Sequence, residues 1–198
     1  HVRVYQYSGS SWTQLGQDID GEAADDQSGY SVSLSSDGTI VAIGARQNDG
    51  TKGDANDNRG HVRVYQYNGS SWTKLGQDID GEAAGDNSGY AVSLSSDGTI
   101  VAIGAYGNDG NGSNSGHVRV YQYNGESWTK LGDDIDGEAT YDYSGQSVSL
   151  SSDGTIVAIG ADENDGNGSN SGHVRVYQYS DSSWTQLGDD IDGEARGD

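Results

Sequence analysis

The sequence predicts an all-β protein made of tandem four-stranded antiparallel units, arranged as β-propeller-like blades in a closed ring or an open stacked array. Three observations support this prediction. The segment HVRVYQY recurs at His1, His61, His117 and His173, with spacings of 60, 56 and 56 residues. Short apolar runs alternate with Gly, Asn and Asp turns at the spacing of all-β folds. No segment shows a helical period of apolar residues.

The third copy of HVRVYQY and the residues before it show the elements of one unit in order. Residues 91–95 alternate small or polar side chains with apolar ones, which predicts a first strand, and Asp97-Gly98 supplies a tight hairpin turn. Residues 99–105 (TIVAIGA) are apolar on both faces, as expected of a strand covered on two sides. Residues 117–123 and 127–135 are predicted to form the third and fourth strands.

The repeat divides the chain into a half repeat and three repeat units. We call residues 1–20 the half unit, residues 28–80 unit 1, residues 88–136 unit 2 and residues 144–192 unit 3. One such sheet cannot bury both faces alone, so consecutive units are expected to pack face to face. The chain has no Met, and we expect it to be a segment of a longer chain or filament. A ring would need further repeats or a partner.

Charge and composition exclude several classes of partner. The chain has 31 Asp+Glu against 10 Lys+Arg, for a formal net charge of -21. This charge repels nucleic-acid phosphates, so we predict no nucleic-acid partner. No apolar run approaches the roughly 18 residues that a bilayer crossing needs, so we predict no membrane insertion. The absence of Cys excludes disulfides and thiolate metal sites.

One pattern within each unit resembles a known family. The sequence SGYSVSLSSDGTIVAIGA, then a Gly/Asn/Asp loop, GHVRVYQY and SWTQLG, resembles the FG-GAP repeat of integrin-alpha-type β-propellers over the whole chain. Ser28-Gly29-Tyr30 stands at the "FG" place and Ile43-Gly44-Ala45 at the "GAP" place. The acidic calcium loop of that family is reduced here to Ser36-Asp37-Gly38. The resemblance implies a blade fold, an extracellular or cell-surface location, and a role in adhesion or assembly.

The motif Asp-Ile-Asp-Gly-Glu recurs at the end of every unit and is a candidate metal site. Oxygen ligands at alternate positions around a Gly suit a hard cation such as calcium, which takes six to eight oxygen ligands. The alternative is a solvated acidic loop. The candidate ligands are Asp18, Asp20, Glu22, Asp78, Asp80, Glu82, Asp134, Asp136, Glu138, Asp190, Asp192 and Glu194.

Candidate modification and ligand-contact residues lie in the predicted loops. Three Asn-Gly-Ser sequons make Asn68, Asn111 and Asn167 candidates for N-glycosylation, with ordinary turn residues as the alternative. The copies differ from one another at strand ends and loops. Tyrosines occupy several of these variable positions and are candidates for contact with a glycan or protein ligand, namely Tyr106, Tyr141 and Tyr143.

Two other recurring residues have competing interpretations. One Trp per unit (Trp12, Trp72, Trp128 and Trp184) is expected to anchor packing between neighbouring units rather than to stack on sugars. The histidines that open HVRVYQY are expected to be strand-edge residues rather than metal ligands or bases.

The leading functional hypothesis is an extracellular structural or adhesive repeat protein that associates with itself or with neighbouring repeats. A closed β-propeller that binds a glycan or protein ligand is the alternative. We expect no enzyme, because catalysis needs one asymmetric constellation whereas His, Ser and Asp recur almost identically in every copy. Calcium is the one cofactor that the motifs suggest.

Overall fold

The computed structural model describes residues 1–50 and 57–197, which form 17 β-strands and no α-helix. This confirms the predicted all-β class. In the same residues no helix has the length and apolar character needed to span a membrane.

The strands follow the four copies of the repeat. The half unit contains β1 (Tyr5–Tyr7) and β2 (Trp12–Gln14). Unit 1 contains β3 (Ser31–Leu34), β4 (Ile40–Ala45), β5 (His61–Tyr67), β6 (Trp72–Lys74) and β7 (Ile79–Asp80). Unit 2 contains β8 (Ala91–Leu94), β9 (Ile100–Ala105), β10 (His117–Tyr123), β11 (Trp128–Lys130) and β12 (Ile135–Asp136). Unit 3 contains β13 (Ser147–Leu150), β14 (Ile156–Ala161), β15 (His173–Ser180), β16 (Ser183–Gln186) and β17 (Ile191–Asp192).

Each full unit is an antiparallel meander. In unit 2 the strand order is β8-β9-β10-β11, and β12 also pairs with β10. The sheets are propeller-like blades, and no sheet in the described residues closes on itself. The prediction of one continuous fourth strand over residues 127–135 is wrong. That segment forms two short strands, because Gly132 between them has φ +76 and breaks the extended backbone.

The apolar cores lie between the units. Every residue of β4 and of β9 is buried, which confirms a strand covered on both faces. In β14 only alternate residues are buried, because within the described residues no unit packs on its other face. One core joins Ile40 and Val62 of unit 1 to Leu94 and Trp128 of unit 2. We call this contact between consecutive units a junction.

The Asp-Gly hairpin turns are held by the protein's own donors. The Asp153 carboxylate accepts hydrogen bonds from the hydroxyls of Ser151 and Thr155 and from the Thr155 N–H. These bonds, the Ser151 hydroxyl first, lower the pKa of Asp153 to about 2. The equivalent Asp37 accepts the same three bonds from Ser35 and Thr39. The turn at the family's calcium-loop place is therefore satisfied within the chain.

Candidate functional site

A tryptophan anchors each junction. The Trp128 indole N–H donates to the Leu75 carbonyl of the preceding unit at 2.9 Å, and the Trp72 N–H donates to the Leu15 carbonyl at 2.7 Å. Trp128 is 4% exposed, whereas Trp12, on which no preceding unit packs in the described residues, is 67% exposed. The packing interpretation is confirmed for Trp72 and Trp128, because their rings are buried in the junctions.

An arginine on the third strand clamps the acidic motif of the preceding unit. Arg119 Nη2 donates to the Asp80 carbonyl at 2.9 Å, and Nη1 lies 3.2 Å from Glu82 Oε1. The guanidinium carbon also lies 5.6 Å from the centre of the Tyr121 ring. Arg63 and Arg175 repeat both contacts with the preceding unit. The Glu of each motif therefore faces the next unit.

The histidines of the three full units are central rather than peripheral, so the prediction that they are strand-edge residues is wrong for them. His61 begins β5, which pairs with both β4 and β7, and only 1% of the residue is exposed. His117 holds the same place in unit 2. Sequence reasoning placed each His at the start of a strand but did not show that a neighbouring strand covers it on each side.

Each buried His meets two carboxylates from different units. The Glu comes from the motif of one unit, and the His and the first Asp come from the next unit. In each group the three candidate donor atoms lie within 4.8 Å of one another, so these groups could hold a metal ion. The groups are Glu22–His61–Asp78, Glu82–His117–Asp134 and Glu138–His173–Asp190. We call them the junction clusters.

Burial lowers the pKa of two of these histidines. Desolvation lowers the pKa of His61, and the nearby charge of Arg63 lowers it further. The pKa of His117 falls to about 4 for the same reasons, burial first and Arg119 second. A neutral imidazole offers a lone pair, so both rings are in the form that coordinates a metal near pH 7.

The structure separates the carboxylates of each predicted Asp-Ile-Asp-Gly-Glu site. Within one motif, the first and third acidic residues face different junctions. The second acidic residue lies near the His of its own unit. Asp80 Oδ1, for example, is 4.0 Å from His61 Nδ1, and Asp136 Oδ1 is 3.9 Å from His117 Nδ1. Asp18 is bound by Arg3 and Gln14. Asp20, Asp192 and Glu194 are not members of a junction cluster in the described residues.

The sequon asparagines lie in loops and turns. Asn111 Nδ2 donates to the carbonyls of Gly137 and Glu138 at 2.9 and 3.0 Å, and Asn167 Nδ2 makes the equivalent bonds one unit later. Asn68 Nδ2 donates to Ser71 Oγ at 3.2 Å. Glycosylation stays a prediction, and at Asn111 and Asn167 it would replace these bonds.

Five tyrosines form a strip that begins in unit 1, continues in unit 2 and ends in the loop before unit 3. Their ring centres are 5.0, 4.5, 5.7 and 6.3 Å apart in order along the strip. The Arg46 guanidinium lies 4.2 Å from the centre of the first ring. Comparison of the copies within the chain identified Tyr106, Tyr141 and Tyr143. It missed the other two tyrosines of this set, although both lie at a position where the copies vary. We call this set, Tyr30, Tyr90, Tyr106, Tyr143 and Tyr141, the tyrosine strip.

Comparison with protein families identifies the repeat. The family model described as the FG-GAP repeat matches residues 79–121 and 135–177. These two segments are FG-GAP repeats. Each matched FG-GAP segment runs from the end of one unit to the third strand of the next, so it contains the Glu and the His of one junction cluster. No curated protein matches the chain.

Solved structures share the fold of these FG-GAP units at low sequence identity. A proposed 6-phosphogluconolactonase from Bacteroides uniformis has a TM-score of 0.63 and 11% identity, covering 96% of this chain and 48% of that one. Sqt1 of Saccharomyces cerevisiae has a TM-score of 0.50 and 16% identity, covering 83% of this chain and 36% of that one. The FG-GAP chain thus spans about half or less of the length of these proteins, and the likeness concerns the fold alone.

Proposed function

We propose that this chain is part of an extracellular structural or adhesive protein, in which FG-GAP units add face to face and associate with further copies. The observation that carries the proposal is that both ends of the described residues expose apolar side chains. The equivalent side chains of the other units pack into the junctions inside the chain. The proposed role is non-catalytic. The extracellular location and calcium binding stay predictions from the FG-GAP resemblance and the acidic motif.

The face after unit 3 presents an apolar surface without a partner in the described residues. Ile191 is 61% exposed, whereas the equivalent Ile135 is 4% exposed in the junction between units 2 and 3. Val174 is also exposed, whereas the equivalent Val118 is fully buried. An exposed patch that matches a buried one elsewhere in the same protein indicates a protein-binding surface.

At the other end of the described residues, unit 1 also exposes apolar side chains. Val32 and Leu34 of β3 are about half exposed. The equivalent Val92 and Leu94 pack against unit 1 in an internal junction. Trp12 is exposed on the half unit in the same way. Because the two apolar patches lie on different surfaces, a contact between them is head-to-tail, and such a contact extends an array or closes a ring instead of forming a symmetric dimer.

Sedimentation velocity over a range of protein concentrations tests this proposal. At physiological ionic strength, which screens the net charge of -21, the average mass should rise with concentration. Ile191→Lys should abolish the rise, because it places a charge in the contact. Thr185→Lys, on an exposed residue of β16, is the matched control and should leave association intact. A strictly monomeric wild-type chain, or equal loss in both variants, would contradict the proposal.

The tyrosine strip favours glycan binding as a second function. Tyr141 and Tyr143 have φ of +67° and +54°, a left-handed conformation that costs a bulky residue about 1–2 kcal/mol. The loop before unit 2 has Gly85 and Asn87 at the equivalent positions. Gly and Asn adopt this left-handed conformation more easily than Tyr. Strained residues that persist beside an aromatic surface point to a functional role. Exposed rings also stack on the apolar faces of sugars.

Replacing Tyr141 and Tyr143 with the residues at the equivalent positions before unit 2 tests this second function. Tyr141→Gly with Tyr143→Asn should raise the melting temperature, because it removes the strain, and should abolish binding to a glycan array. Tyr7→Asn, at an exposed tyrosine outside the strip, should leave glycan binding unchanged. Glycan binding that survives the double substitution, or none by the wild-type chain, would refute this function.

A further inference from the structure

We propose that the junction clusters are binding sites for a zinc-class divalent cation, with one His nitrogen and two carboxylate oxygens as ligands, and that the metal joins each unit to the next. The sites are Glu22–His61–Asp78, Glu82–His117–Asp134 and Glu138–His173–Asp190. This inference goes beyond the proposed assembly and does not rest on it, because all three sites lie at junctions inside the chain.

The third cluster shows a buried donor atom that lacks a partner. His173 Nδ1 is shielded from solvent and makes no hydrogen bond. It lies 3.7 Å from Asp190 Oδ2 and 3.9 Å from Glu138 Oε2, too far for a hydrogen bond to either oxygen. The His173 side chain is 1% exposed. A buried polar atom without a partner destabilises the folded protein, and a cation between these three atoms would remove that cost.

Both carboxylates of this cluster are held so that one oxygen stays directed at the His. Glu138 Oε1 lies 3.5 Å from Arg175 Nη1, and Asp190 Oδ1 accepts a hydrogen bond from Gln186 Nε2 at 2.6 Å. The oxygens that face His173 are the other two. Metal sites commonly have such outer partners, which orient the ligands before the metal binds.

The first two clusters hold their Glu and Asp carboxylates in the same way. Glu22 Oε1 faces Arg63 while Oε2 lies 3.8 Å from His61 Nδ1, and Asp78 Oδ1 is bound by Lys74. In unit 2 the same roles fall to Arg119 and Lys130. The Nε2 atoms of His61 and His117 are buried without a hydrogen-bond partner. A metal ion on Nδ1 would give each of these rings one polar partner.

The donor set selects the class of metal. A His nitrogen with two carboxylate oxygens and water suits zinc, whereas calcium and magnesium take oxygen ligands alone. Tetrahedral zinc with bonds of about 2.0–2.1 Å has ligand atoms about 3.3 Å apart. The distances of 3.7–3.9 Å around His173 Nδ1 are a few tenths of an ångström longer. Glu138 is about half exposed, so its carboxylate can make this movement.

The charges close to each junction cluster predict which site binds zinc most tightly. In the second cluster Glu82 and Asp134 face two cations, Arg119 and Lys130. In the third cluster the residue equivalent to Lys130 is Gln186, so two carboxylates face Arg175 alone. The third site thus has one positive charge fewer close to the metal. We expect the third site to bind zinc most tightly.

Zinc titration of the purified 198-residue chain, after removal of bound metal with a chelator, tests the proposal. Calorimetry should give three zinc ions per chain, and Co²⁺ should show the visible absorption of a four-coordinate site with a nitrogen ligand. His173→Gln should remove one ion and the tightest binding step. Glu163→Gln, at an exposed loop residue outside the clusters, is the control and should still bind three.

Two further variants keep the test decisive if His173→Gln fails to fold. Glu138→Gln changes a half-exposed carboxylate and should also remove the tightest step. Lys130→Gln should tighten zinc binding at the second site, a gain that general loss of folding cannot produce. The proposal is overturned if zinc does not bind, if calcium or magnesium binds equally well at equal concentration, or if both His173→Gln and Glu138→Gln fold and still bind three ions.

Discussion

Trp128→Ala is expected to lower the free energy of unfolding by about 3–5 kcal/mol, the range for removing a large aromatic side chain from a core. Trp128 is 4% exposed and packs into the core between units 1 and 2. Its indole N–H donates to the Leu75 carbonyl, so the substitution also leaves that carbonyl without its partner. Urea unfolding followed by circular dichroism measures the change.

Trp12→Ala is the matched control. Trp12 occupies the same place in the repeat as Trp128, but in the described residues no preceding unit packs on it. Trp12 is 67% exposed. It contacts Tyr7 of its own half unit at a ring distance of 5.2 Å. Its substitution should cost about 1 kcal/mol or less. Equal losses in the two variants would mean that Trp128 stabilises its own unit and not the junction.

Gly104→Ala is expected to separate units 2 and 3 locally and to destabilise the protein by about 1–3 kcal/mol or more. A Cβ atom added to Gly104 would lie 2.0 Å from the carbonyl oxygen of Gly145 in the next unit. Both sides of this contact are backbone, so no side chain can rotate away. Hydrogen exchange of the amides along β9 and β13 should also accelerate, because the junction opens more often.

Gly160→Ala supplies the comparison within the same chain. Gly160 is the equivalent residue of unit 3, where an added Cβ would meet only the Ser147 side chain, which can rotate. An alanine in a strand is also more favourable than a glycine by about 0.5–1 kcal/mol. Gly160→Ala should therefore be close to neutral. If both alanines destabilise the protein equally, close backbone contact at the junction is not the reason for glycine at position 104.

The repeat made the fold predictable. Strand positions, the Asp-Gly turns and the doubly covered strand such as β9 follow from local patterns that recur with a fixed period. The split of the fourth strand into β11 and β12 was missed, because the apolar residues Trp128, Leu131 and Ile135 were assigned to one strand. The interruption comes from the positive φ of Gly132, and a glycine in sequence does not reveal its φ.

The candidate site was only half predictable. Charge and spacing identified the acidic motif, but they placed its carboxylates together because they are close in sequence. The structure instead brings Glu82 to His117 and Asp134, which are 35 and 52 residues further along the chain. The tyrosine strip likewise joins residues of units 1 and 2 and of the loop before unit 3. Variation among the copies was the signal that could have identified Tyr30 and Tyr90 as well.

The sequence by itself therefore determined the all-β class, the number of copies, most strand positions and the chemistry available in each unit. Hydrophobic periodicity and turn residues act over a few neighbouring positions, so they can be read directly. Only the tertiary structure decided which copies share a core, that the histidines are buried, and which carboxylates face them. Those features depend on how one unit packs on the next. A local sequence pattern does not show which residues distant in the chain come into contact.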